Sequence, residues 1–400
     1  MSKMKHIRQN ILRKTGCALL AAVALGAVAA DEPLFDTSLN ESVIKIPKRG
    51  TFSNIELETT VFKPPGDGPF PLAVINHGKA AGNPVFQARA RYSYAARELV
   101  KRGFAVVIPM REGFSKSGGS YISGGCNVAS NGLLQAEDVV ATLDYMTAQS
   151  YIDPKHIVVM GQSHGGFTTM AFGTLVYSGV RALVNFAGGL RQDQCPGWEG
   201  TLASAFGKFG AAAQYPSLWF YGDNDSYWSP WLYQQMHKSY TTAGGKARLI
   251  AFGIYSNGDA HGMFSQRQGL PIWLPEVERF LTEQGFDMNV KFDIPSRRPK
   301  ATIPPPSLWA AANEVDKAPY LREPGRQAYR EFLNRAKPRA FALSAAGNYG
   351  WSADNDLAVD SALEICQRKS TTPCQLYLVD DDVVWQESAG GAAQDSVGAK

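Results

Sequence analysis

Cysteine is scarce in this chain, with five in 400 residues. None stands in a Cys-x-x-Cys pair, and the six histidines are scattered, so the ligand spacings that mark a zinc site are missing. The sequence therefore gives no reason to expect a metal or a cofactor. Long apolar runs are missing too. The one clear stretch, Cys17 to Val28, is shorter than the roughly 20 residues needed to span a bilayer. Lys3, Lys5, Arg8, Arg13 and Lys14 precede it and Val28-Ala29-Ala30 closes it, which is the pattern of a cleaved secretory signal over residues 1–30. Charge is also low, at 19% Asp, Glu, Lys and Arg against about 25% in an ordinary chain. The formal net charge is +4, but the signal alone holds five basic residues and no acid, leaving the mature chain at −1. No basic surplus remains to attract nucleic acid.

What is present after the signal is an even set of cysteines: Cys126, Cys195, Cys366 and Cys374. In an exported chain these suggest disulfides. Cys366 and Cys374 are close enough to pair locally, which leaves Cys126 with Cys195 across a longer loop. A periplasmic or secreted location is expected on both counts. At 44% hydrophobic residues, the mature chain of about 370 can bury one large core and a second, small one.

From about residue 52 to 286, apolar β-branched runs alternate with amphipathic ones. Strands are expected at Asn54–Lys63, Pro71–His77, Phe104–Pro109, Ile157–Gly161, Arg181–Phe186, Ser217–Tyr221 and Arg248–Gly253. Helices are expected at Phe86–Arg102, Leu133–Gln149, Gly165–Val176, Pro230–Thr242 and Pro275–Gln284. Continuous apolar strands alternating with helices predict a mostly parallel sheet flanked by helices, in the α/β class, with the first strand antiparallel at an edge. The interval of about 187–216 breaks the rhythm and is expected to form a cap over the site. These boundaries give a catalytic domain over 31–292 and a Pro-rich linker over 293–319. A small C-terminal α+β module follows over 320–387, then a disordered tail over 388–400. In the module, helices are expected near Pro324–Arg335 and Asp356–Arg368, and strands at Arg339–Ser344 and Gln375–Val379. It is left as a surface for an interaction of unknown kind. Asp380-Asp381-Asp382 reads as a solvated turn rather than a cation site.

The chemistry centres on Gly161-Gln162-Ser163-His164-Gly165-Gly166, where an apolar strand ends and a helix begins. A serine on so sharp a turn is pushed out above the sheet as a nucleophile. It needs a base to take its proton, and the base needs a partner that fixes its tautomer. Of the histidines, His261 lies in a loop between the last strand and the last helix, where its ring can reach the serine. Asp223 and Asp225, in Gly222-Asp223-Asn224-Asp225, both follow the preceding strand; Asp225 is preferred because a turn must swing the carboxylate across. Asp259 is expected to be a turn residue. For the oxyanion, the backbone N–H of His164 is one expected donor. The other is that of Lys79, in the loop His77-Gly78-Lys79-Ala80-Ala81-Gly82.

The order Ser163, Asp225, His261 is that of α/β-hydrolases. Together with Asn76-His77-Gly78, the run Arg111-Glu112-Gly113-Phe114-Ser115-Lys116-Ser117-Gly118-Gly119 and His261-Gly262, it resembles the dienelactone hydrolase and prolyl oligopeptidase-like branch of that superfamily over about residues 52–286. The resemblance implies an α/β-hydrolase fold and hydrolysis of esters, lactones, acyl-enzymes or peptides. Dienelactone hydrolases proper use cysteine where this chain has Ser163, so lactone opening is not implied. The reading favoured is a serine hydrolase acting on a small-molecule carboxylic ester. A peptidase on the same machinery would need an acid to hold a peptide amine, for which Glu112 is the candidate. A non-catalytic binding protein that keeps the fold is the third reading.

Overall fold

The computed structural model describes residues 34–49, 53–295, 299–353 and 355–386. The expected signal over 1–30 and the expected tail over 388–400 lie outside these residues. Eight strands form the main sheet: β1 (Ser42–Arg49), β2 (Asn54–Phe62), β3 (Phe70–Asn76), β4 (Ala105–Pro109), β5 (Ile152–Gln162), β6 (Val180–Phe186), β7 (Ser217–Tyr221) and β8 (Ala247–Ala251). Their order across the sheet is β1-β2-β4-β3-β5-β6-β7-β8. From β4 to β8 every pairing is parallel, whereas β1–β2 and β2–β4 are antiparallel.

Helices α1 (Ser93–Lys101), α2 (Val128–Thr147), α3 (His164–Phe172), α4 (Trp198–Ala211), α5 (Pro230–Thr242) and α6 (Leu270–Glu283) connect these strands or follow them. The apolar side chains of the strands divide between two clusters. One includes Val74, Val107, Val159 and Trp219; the other includes Ile75, Val106, Val158 and Phe220. Side chains alternate between the faces of a strand, so this division means that both faces are covered and explains why the central strands are apolar throughout.

Two expectations are revised. The first expected strand is indeed antiparallel, but it is not the edge. β1 lies outside it, paired from Ser42 opposite Val61 to Arg49 opposite Asn54. Pro47, Lys45 and Lys48 make β1 a poor central strand, and such residues are tolerated at an edge. The interval of about 187–216 does not form a free-standing cap. After a loop it becomes α4, whose Leu202, Ala205, Phe206 and Phe209 are buried in the main core. Parallel strands need a crossover of this kind, and burying each of the larger side chains contributes about 1.5–3 kcal/mol.

The C-terminal module is a second, antiparallel sheet of β9 (Arg339–Ser344), β10 (Tyr349–Ala353), β11 (Cys374–Val379) and β12 (Asp382–Val383), in the order β10-β9-β11-β12. It carries α7 (Glu323–Phe332) and α8 (Ala358–Lys369). α1 reaches it through Tyr94 Oη, which donates to Asp356 at 3.1 Å. Cys126–Cys195 and Cys366–Cys374 are both disulfide-bonded. The first joins the residue before the α2 N-cap to the loop ahead of α4. The second staples the end of α8 to β11.

Candidate active site

β5 ends at Gln162 and α3 starts at His164, so a single residue, Ser163, makes the turn. Its backbone sits at φ 56°, ψ −126°, a conformation that strains any residue with a Cβ. The flanking glycines make room for it. A Cβ at Gly161 would lie 2.3 Å from Gly165 O, and one at Gly165 would lie 2.0 Å from Asn76 O. The loop after β3 comes in from the other side, where a Cβ on Gly78 would stand 3.2 Å from the Ser163 Cβ.

The backbone amides of that loop are sorted by their partners. Gly78 N–H donates to Tyr92 Oη (3.2 Å) and Ala80 N–H to Gln87 Oε1 (2.8 Å). The Lys79 N–H between them has no acceptor among the described residues. His164 opens α3, where the first N–H groups have no partner inside the helix. The Lys79 side chain turns away, donating to Ala80 O and Gly82 O at 3.2 Å, and burial lowers its pKa.

Beyond β7 the chain turns at Asp225. Its Oδ1 accepts the N–H groups of Tyr227 (2.8 Å) and Trp228 (3.1 Å). Its two oxygens lie 3.1 and 3.0 Å from His261 Nδ1. The Asp225 side chain is fully buried and that of His261 nearly so, at 14% exposed. With Nδ1–H donated to the carboxylate, Nε2 is left as the basic nitrogen. His261 is joined to β5 through its backbone, since Gln162 Nε2 donates to His261 O at 2.6 Å. No hydrogen bond joins Ser163 Oγ to the His261 ring among the described residues. Tyr227 packs against the His261 ring, 4.4 Å between centroids, and the residue is 43% exposed.

The other two aspartates face elsewhere. Asp223 accepts the Tyr233 hydroxyl at 2.8 Å. Burial and this carboxylate together push the Tyr233 hydroxyl up to about 12. Asp259 caps the turn that carries His261, accepting its N–H at 2.9 Å. Burial raises the Asp259 pKa, but hydrogen bonds from Ser226 and His261 outweigh it and hold the carboxyl below its ordinary value.

Behind the elbow, Arg111, Gln135 and Asn131, for which no role was expected, meet the rings of His77 and His164. Arg111, just after β4, is fully buried. Its Nη2 donates to His164 Nδ1 (3.2 Å), its Nε to Gln135 Oε1 (3.0 Å), and its backbone N–H to His77 Nε2 (3.1 Å). His164 Nε2–H in turn donates to Asn131 Oδ1 at 2.7 Å, and His77 Nδ1–H to Gly78 O at 2.7 Å. Each ring thus gives one proton and receives one, which defines a neutral imidazole. Burial first, and the Arg111 charge second, hold both pKa values well below the ordinary histidine value. The signal for Arg111 was present as part of a motif, but nothing in a sequence shows that a guanidinium will be buried without a carboxylate.

Glu112 is already neutralised, at 2.9 Å from Lys48 Nζ. Asp381 pairs with Lys337 and Arg339, and Asp380 accepts the Arg339 N–H. A concavity of about 610 Å³ opens between α2 and α4, lined by Asn127, Gly197, Thr201, Ser204 and Lys208 among others. Ser163, Asp225 and His261 do not line it; they lie at the C-terminal ends of the parallel strands.

Residues 90–177 match the sequence model of the prolyl oligopeptidase family, a span that runs from α1 through the elbow and α3. Among solved structures, the chain is similar to a candidate dienelactone hydrolase from Klebsiella pneumoniae (14% identity, TM-score 0.45), covering 61% of this chain and 98% of that one. It is similar to the esterase Pf2001 of Pyrococcus furiosus (13%, TM-score 0.45), covering 64% and 97%. It is also similar to a puromycin-hydrolyzing peptidase of Mycobacterium tuberculosis (17%, TM-score 0.46), covering 64% of this chain but 42% of the peptidase.

Proposed function

We propose that this α/β-hydrolase is a serine hydrolase of carboxylic esters, exported from the cytoplasm, with Ser163, His261 and Asp225 as its catalytic triad. The observation that carries the reading is the geometry of two turns. A strained Ser163 ends β5, and at the next strand end but one a buried Asp225 carboxylate lies 3.0 Å from His261 Nδ1. A histidine so held has one protonated and one basic nitrogen, as a general base requires.

Ser163 Oγ attacks the ester carbonyl while His261 Nε2 takes its proton. The carbonyl oxygen gains the charge and is met by the His164 and Lys79 N–H groups. The C–O bond to the alcohol breaks as His261 returns the proton to the leaving oxygen. Water, activated by the same imidazole, then releases the acid from Ser163. The Lys79 assignment is supported by its N–H, which stands between two occupied ones and has no acceptor among the described residues. Two disulfides favour an oxidising compartment.

The match to the prolyl oligopeptidase family favours peptide bonds as a second reading. The acid that would hold a peptide amine weakens it, because Glu112 is already paired with Lys48. Hydrolysis of p-nitrophenyl esters beside p-nitroanilide peptides separates the two. Ester turnover that vanishes in Ser163→Ala is the expected result. Turnover of anilides alone would favour the peptidase, and ester turnover that survives in Ser163→Ala would overturn the triad.

A further inference from the structure

Arg111 is an unusual residue to find behind a nucleophile elbow. It is 0% exposed, yet no carboxylate lies within ion-pair distance of it among the described residues. Its guanidinium rests on neutral groups: the Gln135 amide, the His164 ring and the face of Phe114, whose centroid is 5.3 Å from Cζ. Nη1 has no hydrogen-bond partner among the described residues. Asp138, whose charge acts on Arg111 without pairing with it, is engaged by Lys48 at 2.5 Å and by the Glu112 N–H at 2.8 Å. The other titratable groups facing Arg111 are His77 and His164, both neutral, and the hydroxyls of Tyr92 and Tyr121, which are uncharged at neutral pH. Burial brings the guanidinium down to about 10, still charged under ordinary conditions.

A buried, unneutralised cation is costly to keep. A purely structural tether could be made by a neutral side chain at less cost. The same low dielectric that makes the charge costly makes it act strongly on any negative charge that develops nearby. Arg111 touches both sides of the place where such charge is expected. Its Nη2 bonds the ring of His164, whose N–H opens α3, and its backbone N–H bonds His77, which begins the loop carrying Lys79.

We infer that Arg111 is a positioning residue for hydrolysis, supplying the positive field behind the oxyanion site through His164 and His77. This rests on the serine hydrolase reading. In the ground state the charge is uncompensated; when the carbonyl oxygen becomes an alkoxide, the pair is compensated without moving a proton. The field therefore favours the tetrahedral state over the bound ester, and its loss falls on kcat rather than KM.

The experiment compares wild type, Arg111→Gln, Arg111→Lys and Ser163→Ala, each as the full chain, on p-nitrophenyl butyrate. Affinity for an alkyl boronic acid, which forms a negative tetrahedral adduct on serine, is measured in parallel. Arg111→Gln is expected to lose about 10²-fold in kcat, the scale of a lost oxyanion donor, with KM within about threefold and boronate affinity falling alongside kcat. Arg111→Lys keeps the charge at neutral pH, and a buried lysine loses its proton earlier than an arginine. Its kcat should stay within about tenfold of wild type at pH 7 and fall on the alkaline side at a lower pH than that of wild type. A kcat for Arg111→Gln within about threefold of wild type would overturn the inference. If Arg111→Gln does not fold, the Arg111→Lys pH profile decides alone, and a profile parallel to wild type overturns it. A dead Ser163→Ala beside a fully active Arg111→Gln would remove only this inference, whereas an active Ser163→Ala would remove the serine mechanism on which it rests.

Discussion

Asp259 Oδ1 accepts the backbone N–H of His261 at 2.9 Å, so the proposed base is held at its main chain by one aspartate while another holds its ring. The same Asp259 carboxylate accepts Ser226 N–H at 3.1 Å and Ser226 Oγ at 2.5 Å. Ser226 follows Asp225 directly. One side chain thus clips the loop after β8 to the loop after β7, and sets the distance between His261 and Asp225.

Three aspartate variants should therefore separate in order. Asp225→Asn removes the charge that stabilises the imidazolium and invites the wrong tautomer, and should cost about 10³–10⁴-fold in kcat. Asp259→Asn leaves the triad intact but loosens the clip, with an expected loss of about tenfold. Asp223→Asn touches only the Tyr233 hydroxyl and should leave kcat within about twofold. Steady-state kinetics on one ester checks the order, and a larger loss for Asp223→Asn than for Asp225→Asn would exchange their roles.

The Asp259 clip also sets an acid limit. Its folded pKa lies below the ordinary carboxyl value because the hydrogen bonds from Ser226 and His261 outweigh burial. A depressed carboxyl contributes stability that is complete above the unfolded pKa of about 4 and is lost as pH falls through the folded value. The contribution is modest, since the group is partly exposed to solvent screening. Wild type should lose more stability than Asp259→Asn between about pH 4 and pH 2, read from urea midpoints; equal losses would show that the clip does not depend on charge.

At Ser163 activity and stability should move in opposite directions. Ser163→Ala keeps the Cβ and the strained φ of 56°, so it should abolish turnover without changing the melting temperature much. Ser163→Gly also abolishes turnover but relieves strain worth about 1–3 kcal/mol. It gives back about 0.5–1 kcal/mol through the more flexible unfolded chain. The glycine variant should thus melt at or above the alanine variant. A glycine variant that melts several degrees lower would mean that the elbow is not under strain.

Much of this arrangement was legible in advance because it is local. The strand at Ser217–Tyr221 and the helix at Pro230–Thr242 coincide with the expected segments, since their apolar pattern and the Ser229–Pro230 start signal are both written in adjacent residues. β1 was missed because Lys45, Pro47 and Lys48 obscure its pattern, and only the presence of β2 beside it makes those residues a strand. β10, Tyr349–Ala353, was missed for a similar reason, its Gly350 lying against α8, where a Cβ would come 2.4 Å from Cys366 N. At the candidate site, Ser163, Asp225 and His261 stand out as candidates by glycine-rich turns after apolar strands. Arg111 does not, because its meaning depends on the absence of a carboxylate in three dimensions, which no linear pattern records.

The two disulfides should differ in what they contribute. Cys126 and Cys195 are 69 residues apart, Cys366 and Cys374 only 8. On loop-closure entropy the first constrains the unfolded chain by about 4 kcal/mol and the second by about 2.5 kcal/mol. Cys126→Ser with Cys195→Ser should therefore lower the urea midpoint more than the paired change at Cys366 and Cys374. It should also lower activity, since this bond holds the loop after β4 against the loop after β6. Thiol titration of the mature, denatured protein should find none of the four free, and four reactive thiols would remove the basis for both effects.

The two buried imidazoles give the last prediction. His77 and His164 are neutral in the folded protein because burial, and then the Arg111 charge, disfavour protonation. In the unfolded chain both titrate near 6.5. The unfolded state therefore binds more protons below that pH, and stability falls as pH falls from about 6.5 toward the folded pKa values. Each histidine contributes a slope of up to about 1.4 kcal/mol per pH unit in that window. Above pH 7 the effect vanishes, because neither state is protonated. Urea unfolding from pH 8 to pH 5 should show stability level and then declining, and His164→Asn, which cannot titrate, should remove about half of the decline. A decline unchanged by His164→Asn would mean that His164 accepts a proton in the folded state, contrary to the hydrogen bond it receives from Arg111.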